Sequence, residues 1–191
     1  MTAYDFALFV HMLGLVTMFG GFAVHARAGA RLRKSTNLAQ ARSWLELLES
    51  SARMFPAGTL LLLVSGLYMT FSRWKAMPPW IVAAMSGLLI IWFTGAAVAG
   101  RHLRTLRAAA DGSNGTVSQE LSTSIANPFP WIVLASLNGL AIGIVFVMSL
   151  KPGWLVSFGV EVLAAAIGAL VGSRTAHRAP VPAGLGTRAA S

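Results

Sequence analysis

Residues 128–173 read PFPWIVLASLNGLAIGIVFVMSL, then KPG, then WLVSFGVEVLAAAIGALVGS, and within them only Lys151 and Glu161 are charged. The two apolar runs, 128–150 and 154–173, are each about 30 Å long at 1.5 Å per residue, the thickness of a bilayer's hydrocarbon. A helix on a soluble domain shows a polar face, and neither run has one. Lys151-Pro152-Gly153 is turn chemistry, so these two spans are expected to be antiparallel neighbours.

Working outward, the same reading applies at about 4–26, 54–72 and 79–100. The expectation is an all-α polytopic membrane protein: a five-transmembrane-helix bundle forming one domain over 1–173, followed by a disordered cytoplasmic tail over 174–191 rich in Ala, Pro and Gly. Only 11% of residues are charged and the mean hydropathy is +0.67, as such a bundle requires. Between the first two spans, Leu38, Ala41, Leu45, Leu48 and Ala52 are spaced three and four apart. This predicts a short amphipathic helix over 38–53, lying along the cytoplasmic interface or packed under the bundle. Pro56 falls in the first turn of the second span, where proline costs little. Residues 102–127 contain Asp111-Gly112-Ser113-Asn114-Gly115 and read as a loop.

The net charge of +9 is placed asymmetrically. Arg27, Arg31, Arg33, Lys34, Arg42 and Arg53 follow the first span. Arg101, Arg104 and Arg107 follow the third, and Arg174, Arg178 and Arg188 the fifth. Only Arg73, Lys75 and Lys151 fall on the other side. The positive-inside pattern then predicts an N-terminus outside and a C-terminus in the cytoplasm, in a bacterial inner membrane. No aromatic-basic interleaving supports a nucleic-acid partner, so the expected surroundings are the lipid bilayer. The first span has no basic segment before it and carries Asp5, which reads as a retained, reversed anchor rather than a cleaved leader. Without cysteine, disulfides and thiolate sites are excluded.

An ionisable side chain within a span costs about 2.5–3.5 kcal/mol on insertion scales, so each one needs a reason. His11 lies seven residues after Tyr4, and Glu161 seven after Trp154. Both should therefore sit about 10 Å below the outer end of their helices, in a layer that Ser65 and Ser86 can join. The expectation is that they face the bundle interior and interact directly or through water, as a proton relay, a bound-cation site, or a metal or haem ligand with its partner. His25 follows His11 by fourteen residues, on nearly the same face and about 21 Å away. That spacing suits stacked haems, with His102 as the partner available to His25; beside so many arginines, both are otherwise expected to be solvated boundary residues. His177 falls in the tail. Met69, Met85 and Met148 lie toward the outer side, where a thioether can join a metal at His11 or simply fill space. Gly139/Gly143 and Gly168/Gly172 form GxxxG faces, for internal packing or for a homo-oligomer or membrane-complex partner.

The first span, His11-Met-Leu-Gly-Leu-Val-Thr-Met-Phe-Gly20-Gly21 followed by Arg27, and the second, Pro56-Ala57 with Ser65-Gly66-Leu67-Tyr68, resemble a group of small bacterial membrane proteins. The group includes the copper-resistance CopD domain, HemJ-type protoporphyrinogen oxidase and related domains of unknown function. The resemblance covers about the first half of the chain. It implies a compact helical bundle in which His11 is the candidate haem b or metal ligand. HemJ-type enzymes carry a lysine in the third span, whereas this chain reads Trp80-Ile-Val-Ala-Ala-Met85-Ser86 there, so the resemblance does not extend to porphyrinogen oxidation.

Three functions follow as expectations. The first is a small haem- or metal-binding redox protein using His11 with Glu161, the second a proton-coupled or ion transport component, and the third a non-enzymatic accessory subunit. No hydrolase triad, P-loop, zinc motif or dinucleotide fingerprint is present in the sequence, and a single intramembrane carboxylate is too few for paired acid–base hydrolysis.

Overall fold

A computed structural model describes residues 2–74, 77–113 and 117–177. Seven helices follow in order: α1 (Ala3–Leu32), α2 (Leu38–Ala52), α3 (Met54–Arg73), α4 (Pro79–Asp111), α5 (Gln119–Ala126), α6 (Pro128–Leu150) and α7 (Trp154–His177). Five helical stretches are long and apolar enough to cross a membrane. Their surfaces agree: Leu155 is 87% exposed, Phe71 72% and Val162 70%. Apolar exposure on this scale suits a protein whose solvent is lipid.

Local chemistry sets the helix ends. Thr2 and Asp5 form a reciprocal capping box at the start of α1: Asp5 N–H donates to Thr2 Oγ1 (3.2 Å) and Thr2 N–H to Asp5 Oδ2 (2.7 Å). Asn37 caps α2 by accepting from Gln40 N–H at 2.8 Å. Lys151 ends α6 in the left-handed region at φ 53° and returns its N–H to Val147 O at 2.8 Å, turning the chain into α7.

Two close antiparallel pairs make up most of the bundle. Arg53 keeps helical angles, so α2 and α3 continue one another along α1. The facing pairs are His11 with Ser65, Met18 with Gly58, Gly21 with Phe55 and His25 with Ser51; their residue numbers add to one value, the mark of a single uninterrupted register. A Cβ on Gly58 would lie 2.8 Å from Met18 N, so only glycine permits this approach. In the other pair, α6 and α7, Gly139 abuts the Ala164 carbonyl and Gly168 the Ala135 carbonyl, while Gly143 and Gly172 face the Ala164 and Ala135 methyls. Both GxxxG faces are used in this internal contact, the internal-packing alternative of the expectation. The short 151–153 turn leaves the two faces opposite each other. Helix α4 packs against α2, α3, α5, α6 and α7 and joins the two pairs.

Apolar side chains collect in two clusters. One, around Met18, Leu62, Leu88, Leu137 and Ile144, fills the membrane-spanning part. The second, around Leu32, Leu45, Leu48, Leu106, Leu121, Ile125 and Trp131, lies at the basic end. The amphipathic 38–53 segment is the packed alternative: Leu38, Ala41, Leu45 and Leu48 are buried against α1 and α4. The 102–127 loop needs correction. Helix α4 continues to Asp111, and α5 occupies 119–126. Leu106, Ala109 and Ala110 form an inward stripe that the intervening arginines obscure, and Arg107 reaches Glu49 (3.9 Å) and Asp111 (3.4 Å) on the outside. The expected tail begins as helix, since α7 runs to His177; residues 178–191 lie outside the described residues.

Candidate functional site

A cavity of about 470 Å³ opens among α1, α3, α4 and α6. Its deep wall is apolar: Met18, Leu62, Leu88 and Ala141. At its other end are Tyr4, Arg73, Trp74, Trp80 and Lys151, where α1 and α4 begin and α3 and α6 finish. Arg73 and Lys151 each rest on an aromatic ring. The Arg73 guanidinium is 4.8 Å from the Tyr4 centroid, and Lys151 Nζ is 5.6 Å from that of Trp80. Trp74 meets Trp80 edge-on at 5.6 Å. In the sequence Arg73 and Lys151 are only topology charges; their convergence on one cavity requires four helix ends to be brought together.

His11 is half-buried and lines this cavity. Its Nδ1 lies 3.1 Å from Ser65 Oγ, and that hydroxyl gives its single proton to the Leu61 carbonyl. With the hydroxyl turned to that carbonyl, the serine accepts from Nδ1–H and Nε2 keeps its lone pair. Gly66 makes room: a Cβ there would lie 3.4 Å from His11 Cε1. Met69, Met85 and Met148 all line the same cavity. Among the described residues, no three His, Asp or Glu side chains gather as a metal cage.

Glu161 is 4% exposed but is not in the cavity wall. It sits between α4, α6 and α7, where Gly87 and Gly143 leave it space; a Cβ on Gly87 would be 3.0 Å from Oε2. Oε1 is buried without a hydrogen-bond partner. The expected direct His11–Glu161 contact is therefore corrected: His11 pairs with Ser65, and Ile144, a cavity residue, packs against Gly87 on the Glu161 side. Ser86 spends its hydroxyl on Ala83 O (2.7 Å) within its own helix.

The second histidine repeats the first. His25 Nδ1 lies 3.0 Å from Ser51 Oγ, which donates to Leu48 O at 2.8 Å. Ser51 and Ser65 are separated by the same fourteen residues as His25 and His11. That matched spacing was present in the sequence but means nothing until the antiparallel register is known.

His25 and His102 are 5% and 8% exposed, not solvated boundary residues. The exposed arginines beside them, Arg27, Arg31, Arg101 and Arg104, occupy the outer faces of the same helices. Both imidazoles pack on Trp131, His25 with a centroid separation of 6.5 Å and His102 edge-on at 5.1 Å. Trp131 donates its indole N–H to Ile125 O (3.2 Å), and Arg33 lies over its ring at 5.0 Å. Burial at this position, just beyond α1, holds the Arg33 guanidinium below the ordinary arginine range.

Comparison of the chain with family models, with curated proteins and with solved structures finds no match.

Proposed function

We propose that this membrane protein holds a haem b-type group in the cavity among α1, α3, α4 and α6, with His11 as its protein ligand. The observation that carries the reading is His11 lining an apolar cavity with its Nδ1 held at Ser65 Oγ, which leaves Nε2 as the ring nitrogen available to a ligand. The other residues fit such a group. A tetrapyrrole would bring most of the ligands of its own metal, so His11 alone would suffice as the histidine ligand. The wall formed by Met18, Leu62, Leu88 and Ala141 suits an apolar macrocycle, and Arg73 and Lys151 at the mouth suit its carboxylates. Met85 or Met148 offers a soft second ligand. When bound, the iron supplies one-electron transfer; the protein residues bind it, orient it and exclude water. In a bacterial inner membrane with the basic ends inside, the cavity mouth opens on the outer side. The test is the optical spectrum of protein made under haem-replete expression. A Soret band that His11→Ala removes, with helicity retained, is expected; no retained haem in the wild-type protein overturns the reading.

Glu161 favours a second reading, a proton-coupled or ion transport component. A carboxyl buried among three helices without a partner suits reversible proton or cation binding. Liposome flux that Glu161→Gln abolishes supports this reading, and equal flux in both proteins refutes it.

A further inference from the structure

Glu161 is 4% exposed, its Oε1 has no hydrogen-bond partner among the described residues, and it is not in the wall of the His11 cavity. One residue reaches both places. Ile144 lines the cavity, together with Ala141 and Met148 of its own helix and Ala84 and Leu88 of α4. Its Cδ1 also lies 2.9 Å from the point where a Cβ on Gly87 would stand, and Glu161 Oε2 lies 3.0 Å from that same point. Gly87 is therefore a notch in α4, filled by Ile144 from the cavity side and by the carboxyl from the α7 side. Gly143, beside Ile144, allows α7 this close, since a Cβ there would be 3.2 Å from Glu161 Cα.

A proton reaches a carboxyl inside the hydrocarbon through water or polar groups, not through packed methyls. In the structure the Ile144 methyl occupies the notch. It also borders a cavity of about 470 Å³. Rotation about χ2 from one staggered position to another can carry Cδ1 off Gly87 and into that space, with both backbones unmoved. The vacated notch then leaves room for water to approach Oε2.

We infer that the cavity is the entrance through which protons reach Glu161, and that Ile144, seated on Gly87, is the gate between them. The step moves one proton from a hydronium ion at the cavity floor to a carboxylate oxygen of Glu161, giving water and the neutral acid. The inference rests on reading Glu161 as a reversible proton site and requires no ligand on His11.

The experiment uses the absence of cysteine from the chain. In sealed membrane vesicles, Glu161→Cys reports water access through its rate of reaction with a small, charged, impermeant methanethiosulfonate. Exposed Ser72→Cys, at the mouth end of α3, marks the side from which the reagent should arrive, and exposed Ser43→Cys in α2 marks the other. Added to Glu161→Cys, Ile144→Ala should speed the reaction by about tenfold or more, whereas Gly87→Ala, which fills the notch, should slow it by about tenfold. Ile142→Ala, on a face of α6 that is 57% exposed, should leave the rate within about twofold. If Ile144→Ala does not fold, Ile144→Val removes only the Cδ1 methyl and should change the rate in the same direction. Faster reaction in both Ile144→Ala and Gly87→Ala signals loosened packing and overturns the inference. Rates that neither variant changes, or entry from the Ser43 side, overturn it as well. Liposome flux separates this route from transport itself. Labelling that follows the notch without Glu161-dependent flux refutes transport and supports the entrance; Glu161-dependent flux with labelling unaffected by the notch refutes the entrance alone.

Discussion

At the residue scale, the two histidine–serine pairs differ in burial and so in cost. His25 and Ser51 are buried, whereas His11 borders a cavity. Ser51→Ala leaves Nδ1 unsatisfied in a dry site and is expected to destabilise by about 1–3 kcal/mol. Ser65→Ala should cost about 0.6 kcal/mol, the average for a polar contact between membrane helices. Reversible unfolding in mixed micelles measures both, and a cost for Ser65→Ala equal to that for Ser51→Ala would contradict the assigned environments. Glu161 makes the opposite prediction. Burying an unpaired charge is expensive, and Gln has the same shape without ionising. Glu161→Gln should leave the unfolding midpoint unchanged or raise it; a loss of more than about 1 kcal/mol would instead point to a partner that requires the charge.

At the element scale, glycines decide which helices touch. On Gly168 a Cβ would run into the Ala135 carbonyl of α6, whereas Gly159 on the same helix has open space around it. Gly168→Ala must push α6 and α7 apart and should cost about 1–3 kcal/mol. Gly159→Ala should be neutral, or stabilising by up to about 1 kcal/mol through helix propensity. Equal unfolding midpoints for the two variants would show that the close α6–α7 approach is wrong. Because the GxxxG faces are used internally, neither substitution is expected to shift the oligomeric state on size-exclusion chromatography. The loop reading of 102–127 failed at this scale for a related reason. Stripes such as Leu106, Ala109 and Ala110 are short and flanked by arginines, and their apolar character matters only because α2 and α5 lie alongside.

At the scale of the whole molecule, the charge asymmetry predicts which ends face the cytoplasm. The chain has no cysteine, so single cysteines report accessibility without background. Ser43→Cys on the exposed side of α2 should react with an impermeant maleimide only after the membrane is opened. Ser72→Cys at the opposite end of the bundle should react in intact cells. Reversed labelling would invert the orientation while leaving the bundle intact. The cavity also belongs to this scale, since its mouth takes residues from α1, α3, α4 and α6, and no single helix contains it.

The amino-acid sequence by itself determined that this protein is a five-span helical bundle. Span length and the lack of polar faces are local properties that the bilayer reads directly, and the 128–150 and 154–173 runs match α6 and most of α7. It also singled out His11, Glu161, His25 and His102, because ionisable groups in apolar helices are costly wherever they point. Tertiary structure alone decided their company. It gave His11 to Ser65 rather than Glu161, buried His25 and His102 against Trp131, and brought Arg73 and Lys151 to one cavity. The reason is rotational: residue spacing fixes depth along a helix, but the direction a side chain faces depends on which neighbour packs against it, and here glycines such as Gly58 and Gly168 make that choice.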